Sequence, residues 1–294
     1  MADNTQLDPG SGGDVVATDD IGGVKHQRVK LEFGGDGVAT EVDHGDPLPS
    51  IDLAASAALA LDADLGVFNA NGWNPGFSTG VEETFWSIGA SSWQDTPNNS
   101  AELVNVASTD AADAAAGTGA QTVRVHGLNS SGAYATEDVS MNGTSNVSTV
   151  ATFLVVFRLE VLTVGSGATN AGAISATGAT SSGIYAYALA GEGTSEQATH
   201  AVPASTVGLL KSWRTGVLET GTAGAIQAQL QIWIPTTQPT WRTIQRTSAA
   251  DGAPSNLVFD PPLVLPATSR VRVQGIASAS VDAYSSLDVL QRAS

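Results

Sequence analysis

The sequence predicts an all-β protein: β-sandwich or jelly-roll domains preceded by an extended N-terminal arm. Three observations carry this expectation. From about Val81 onward, short apolar stretches recur between clusters of Gly, Asn, Ser and Thr, the pattern of strands joined by tight turns. Glycine supplies 32 of the 294 residues while charged residues make up only 14%, so small uncharged side chains must cover much of the surface. The first fifty residues are instead rich in Gly and Asp, with too few apolar side chains to build a core.

Residues 1–50 read as an anchoring arm. Within them Arg28, Lys30 and Glu32 alternate with Val29, Leu31 and Phe33, the period-2 pattern of a strand with one apolar face. A strand without a core of its own must pair elsewhere. Arg28, Val29, Lys30, Leu31 and Phe33 are therefore the candidate partner-binding residues, adding a strand to another sheet's edge. Asp46-Pro47 and Leu48-Pro49 disfavour helix and close the arm. Residues 51–80 follow as a short helix and linker, the helix being IDLAASAALALDADLG (51–66), with Asp52 near its start and Gly66 at its stop.

Residues 81–190 form a β-rich subdomain and 191–294 a second sandwich or jelly-roll subdomain, with a single domain over 81–294 as the alternative. In the first, QTVRVHGL and AYATEDVSM flank a turn at 129–132, and TFLVVFRLEVLTV (152–164) is a buried strand. In the second, AIQAQLQIWI (225–234) is the clearest strand. Ile226, Ala228, Leu230, Ile232 and Ile234 point one way; Gln227, Gln229, Gln231 and Trp233 point the other. An indole on a polar face suits an oligomer interface, so these four are the candidate interface residues, with local packing and a sugar-stacking platform as alternatives. Pro261, Pro262 and Pro266 mark a loop or edge strand before the alternating Val271 and Val273.

The net charge of −17 is lopsided: residues 51–120 carry nine acids and neither Lys nor Arg. Such a field repels phosphate backbones, so no nucleic-acid partner is expected. The absence of cysteine excludes disulfides, thiolate metal sites and a cysteine nucleophile. No stretch approaches the roughly 18 apolar residues of a membrane span, and no secretory signal is apparent, so a soluble chain without a membrane partner is expected. His26, His44, His126 and His200 are too scattered for a metal motif, and no nucleophile elbow or phosphate loop occurs. Of the carboxylate pairs, Glu82 and Glu83 would face opposite sides of a strand. Asp62-x-Asp64 lacks the Gly and closing Glu of a calcium loop, and Asp19-Asp20 reads as solvated. These readings give a non-enzyme with no catalytic residues, metal or cofactor.

Several blocks carry a family resemblance. GTGAQTVRVHGLN (117–129), EDVSMNGTSNVST (137–149), VGSGATNAGAISATG (164–178), AGEGTSEQATHAVPASTVGLLKSW (190–213) and FDPPLVLPATSRVRVQGIAS (259–278) resemble, in that order, segments of structural proteins of tailed-bacteriophage virions. The opening ADNTQLDPGSGGDVVATDDIGGVKHQRVKLEFG is similar to N-terminal segments of phage virion proteins. The resemblance implies assembly into a virion, with no enzymology and with head or tail left open; together with the arm and the near-neutral β-region it gives the expectation of a protein made in the host cytoplasm and mounted on the particle exterior as a capsid decoration, cement or head-fibre protein. Its expected partners are the major capsid protein or another virion protein, and further copies of itself in a trimer. A tail fibre or tail-tip adhesin binding host glycans is the alternative, and a glycan depolymerase a third.

Overall fold

The computed structural model describes residues 65–88, 100–218, 224–235 and 238–293, together with short paired strands within 1–52. Residues 1–52 group as a unit of their own. There, β1 (Thr5–Gln6) pairs with β2 (Val15–Val16), β3 (Thr18–Ile21) with β4 (Val24–Gln27), and β5 (Glu32–Phe33) with β6 (Thr40–Glu41), all antiparallel. Where an extended arm is expected, the described residues thus form local hairpins. Arg28, Val29, Lys30 and Leu31 lie outside the described residues; Phe33 is in β5, opposite Thr40.

The helix expected over 51–66 lies outside the described residues up to position 64, and its last two residues open a strand instead. That strand, β7 (Leu65–Phe77), also corrects the linker expected up to residue 80. Its inward face is Phe68, Ala70, Gly72 and Asn74, of which only Phe68 is a large apolar residue, and the burial alternates with period 2 nonetheless. Gly72 is required there. A Cβ would fall 2.0 Å from the Phe85 carbonyl oxygen and 2.3 Å from the Ala198 nitrogen.

The chain continues through β8 (Glu82–Thr84), β9 (Val104–Ser108), β10 (Ala120–Asn129), β11 (Tyr134–Ser140), β12 (Val147–Ser148), β13 (Phe153–Val164), β14 (Ile174–Gly178) and β15 (Ile184–Ala188). It ends with β16 (Thr199–Ala201), β17 (Thr206–Leu218), β18 (Ala225–Ile234), β19 (Gln238–Ala250), β20 (Ser255–Leu265), β21 (Arg270–Ala277) and β22 (Val281–Ala293). Two antiparallel sandwiches result, in agreement with the all-β expectation. In the first, sheet β11-β10-β13 faces sheet β12-β9-β14-β15 over a core that includes Val106, Val125, Phe153, Leu159 and Ile174. The expected hairpin is β10–β11: the Asn129 carboxamide oxygen accepts hydrogen bonds from Ser131 and Ala133 nitrogens, and Gly132 takes a φ of 76°.

In the second sandwich, β21 pairs with β18 on one side and with both β16 and β8 on the other, and β19 extends the sheet beyond β18. The facing sheet runs β20-β17-β22-β7. Phe77, Phe85, Leu210, Trp213, Ile226, Leu230 and Leu287 are among the core residues between them. The boundary expected at residue 81 is therefore displaced, because β7 and β8 belong to the C-terminal sandwich. The first sandwich is an insertion between β8 and β16. Buried Glu83 helps fix this closure: it accepts from the Asn74 amide at 2.8 Å and from the Ser78 nitrogen at 3.0 Å. Pro261 and Pro262 lie in β20, which among the described residues pairs with β17 alone, as prolines on an edge strand should.

Candidate functional site

The aliphatic row of β18 faces the core as its alternation predicts, with Ile226, Ala228, Leu230 and Ile232 buried. The opposite row does not stay uniformly wet. Gln227 is exposed and Gln229 half-buried, whereas Gln231 is 7% and Trp233 only 1% exposed. The cause lies in register and in the inserted sandwich. Opposite Trp233 on β21 stands Arg270, whose guanidinium lies 4.6 Å from the indole centroid, and whose Nη2 donates to the Leu154 carbonyl of β13. Beside them Trp86, Leu128, Val155, Phe157 and Ala201 form a small apolar cluster joining the two sandwiches. Trp233 is thus interior packing and not a surface indole, which corrects its expected place in an oligomer interface. Burial pulls the Arg270 guanidinium down to about 10, with Tyr185 opposing, so it remains protonated at neutral pH.

At the other end of the same face the sheet is open. Glu82, Gln227, Gln229, Gln231, Thr243, Arg246, Ser248 and Ile276 line a groove of about 550 Å³. Its amides are wired together. Gln229 and Gln231 both donate to Glu82 Oε1, at 2.8 and 3.3 Å. The Gln229 oxygen accepts from Thr243 Oγ1, and the Gln231 oxygen from Arg272 Nε, both at 2.8 Å. Arg272 in turn lies 4.3 Å over the Trp241 ring. Glu82 and Glu83 do face opposite sides, Glu82 into this groove and Glu83 into the core.

The other buried ionisable groups are committed to internal structure. Asp113 accepts from Ser108 Oγ and from the Ala120, Ala171 and Gly172 nitrogens at 2.6 to 2.9 Å. Burial pushes its carboxyl up, but these donors outweigh that and hold it low. Glu102 is likewise raised by burial yet pulled down to about 2 by hydrogen bonds from Ser181, Tyr185 and the Thr180 nitrogen. Both belong to the acidic segment 51–120, in which the sequence reading singled out neither. Their role was signalled only by their setting, since glycine- and alanine-rich turns leave backbone N–H groups in need of an acceptor. His200 is buried against Phe68, with ring centroids 4.0 Å apart, and burial pulls its imidazole down to about 3. His126 instead sits on the first sandwich, 3.2 Å from Glu160 and 2.8 Å from the Tyr134 hydroxyl. Among the described residues no three His, Asp or Glu side chains converge as metal ligands.

No protein-family model and no curated protein sequence matches the chain. Three solved structures of infectious bursal disease virus align over most of it. The structure of the Gt strain does so at 10% identity and a TM-score of 0.19, covering 82% of this chain and 76% of that one. The T13 viral particle gives 9% and 0.19, covering 82% and 79%, and the VP2 subviral particle 10% and 0.18, covering 83% of each. Scores of this size mark no shared fold, and nothing is carried over from them.

Proposed function

We propose that the chain is a non-enzymatic structural protein of a tailed-bacteriophage virion, a capsid decoration, cement or head-fibre protein on the particle exterior. It docks through residues 1–50 onto the major capsid protein or another virion protein and associates with further copies of itself as a trimer. One observation carries the non-enzymatic part: Asp113, Glu102, Glu83 and His200, the buried groups best placed for chemistry, are each spent on a turn, a closure or a packed aromatic contact. What remains outward is a surface for binding. The resembling blocks support the virion reading by their placement, since 117–129, 137–149 and 164–178 trace β10, β11–β12 and the β13–β14 connection of one sandwich, and 190–213 and 259–278 trace β16–β17 and β20–β21 of the other. Residues 1–52 forming a separate unit suits a detachable anchor.

Immunogold labelling of purified particles with antibody to this chain tests the reading. Label over the head is the expected result, and its absence from intact particles overturns the proposal. Label confined to the tail tip selects the second reading, a tail fibre or adhesin binding host glycans, which the open polar groove favours. Deleting residues 1–50 should leave a folded β-protein that no longer adds to particles lacking it; undiminished addition would refute the docking role.

A further inference from the structure

We infer that the groove over β18, β19 and β21 is a binding site for a neutral oligosaccharide. The first argument is preorganisation. Exposed glutamines ordinarily lose side-chain order to solvent, and fixing one on binding costs rotamer entropy. Here that ordering is already built in. Gln229 is held between Glu82 and Thr243, and Gln231 between Glu82 and Arg272, so a ligand meets amides of defined orientation. Each of the two amide nitrogens donates once in this wiring, and half-buried Gln229 keeps its second hydrogen for a ligand. Alternate residues of a strand stand about 6.8 Å apart, so exposed Gln227 continues the row beyond the wired pair and lengthens the amide-lined part of the groove.

The second argument is charge. Among the described residues the groove's lining holds one carboxylate, Glu82, and one guanidinium, Arg246. An anionic ligand meets Glu82 and a cationic one meets Arg246, whereas a polyol donates to the first and accepts from the second. A single carboxylate is also too few for a divalent cation. Ile276, 37% exposed, supplies an apolar patch for the C–H face of a ring.

A subunit contact is the competing occupant, and the geometry disfavours it. Interface cores are enriched in aromatic residues and depleted of charge. On this face, by contrast, Trp233 is interior and Arg272 covers Trp241, while the open part is amide, hydroxyl and charge. The site does not depend on where the protein sits on a particle, so it stands or falls separately from the proposed location.

A printed array of neutral oligosaccharides beside sialylated and sulfated ones, probed with the full chain, tests the inference. The expected result is signal on neutral members, reduced about tenfold or more in Arg246→Ala and Gln227→Ala, both substitutions of exposed side chains that leave the core untouched. No neutral member binding, or binding unchanged in both variants, overturns it. So does a fall in mass by light scattering in these variants, which would assign the face to a subunit contact.

Discussion

Truncating Trp233 separates packing from association, because the two roles predict opposite readouts. The indole is 1% exposed, and removing a buried tryptophan to alanine costs roughly 3–5 kcal/mol. Part of that loss is the contact with Arg270, whose guanidinium stands 4.6 Å from the ring centroid in a site from which water is excluded; a desolvated cation–π pair of this kind contributes about 2 kcal/mol. Arg270 is itself only 1% exposed, so the variant also leaves a buried cation facing a void where a ring had been. Trp233→Ala should therefore destabilise the fold by about 4 kcal/mol. With a urea dependence of about 2–3 kcal/mol per molar, the unfolding midpoint followed by far-ultraviolet circular dichroism should fall by roughly 1.5–2 M. Mass by light scattering should stay at the wild-type value under native conditions. A midpoint shift below about 0.5 M accompanied by a smaller mass would refute the reasoning and return the indole to a shared surface.

Further outcomes follow from the packing and from the buried titratable groups. Gly72→Ala should destabilise strongly, beyond the roughly 1–3 kcal/mol usual for overpacking, because its Cβ meets two backbones. Gly66→Ala, with nothing within 4 Å, should be close to neutral in the same denaturation assay. His200 gives a pH dependence: the unfolded chain takes up a proton below about 6.5 and the folded one only near 3, so stability should fall across that window as pH drops, by roughly 4–5 kcal/mol. His200→Gln should flatten that slope in denaturation curves recorded between the two pH limits. Glu102 adds a loss of the same sign lower down, as pH falls from about 4.5 towards 2, and Glu102→Gln should remove it. Asp113→Ala leaves three backbone donors and one hydroxyl without their acceptor, at roughly 1–3 kcal/mol for each that stays buried. Asp113→Asn, which keeps one oxygen, should cost less, and equal midpoints for the two variants would show that these bonds do not hold the turn.

The all-β class, the β10–β11 hairpin, the buried strand β13 and the inward row of β18 are legible in the residue pattern alone. Each is a local pattern, in which alternation or a turn residue acts over a few positions and needs no distant partner. The opposite faces of Glu82 and Glu83 follow from the same period. The rest depends on contacts between segments far apart in the chain. β7 read as linker because its inward residues are Ala, Gly and Asn, and nothing nearby in sequence announces that the Phe85 and Ala198 backbones will press against Gly72. The Gln and Trp row of β18 is uniform in pattern yet graded from open to buried, because β21 sets Arg270 against Trp233 and the inserted sandwich reaches that end through Leu154, far upstream in sequence. Alternation specifies which side of a strand a residue faces; whether that side is water or protein is fixed by chain segments remote in sequence, and burial is the property on which both the stability of Trp233 and the openness of the groove depend.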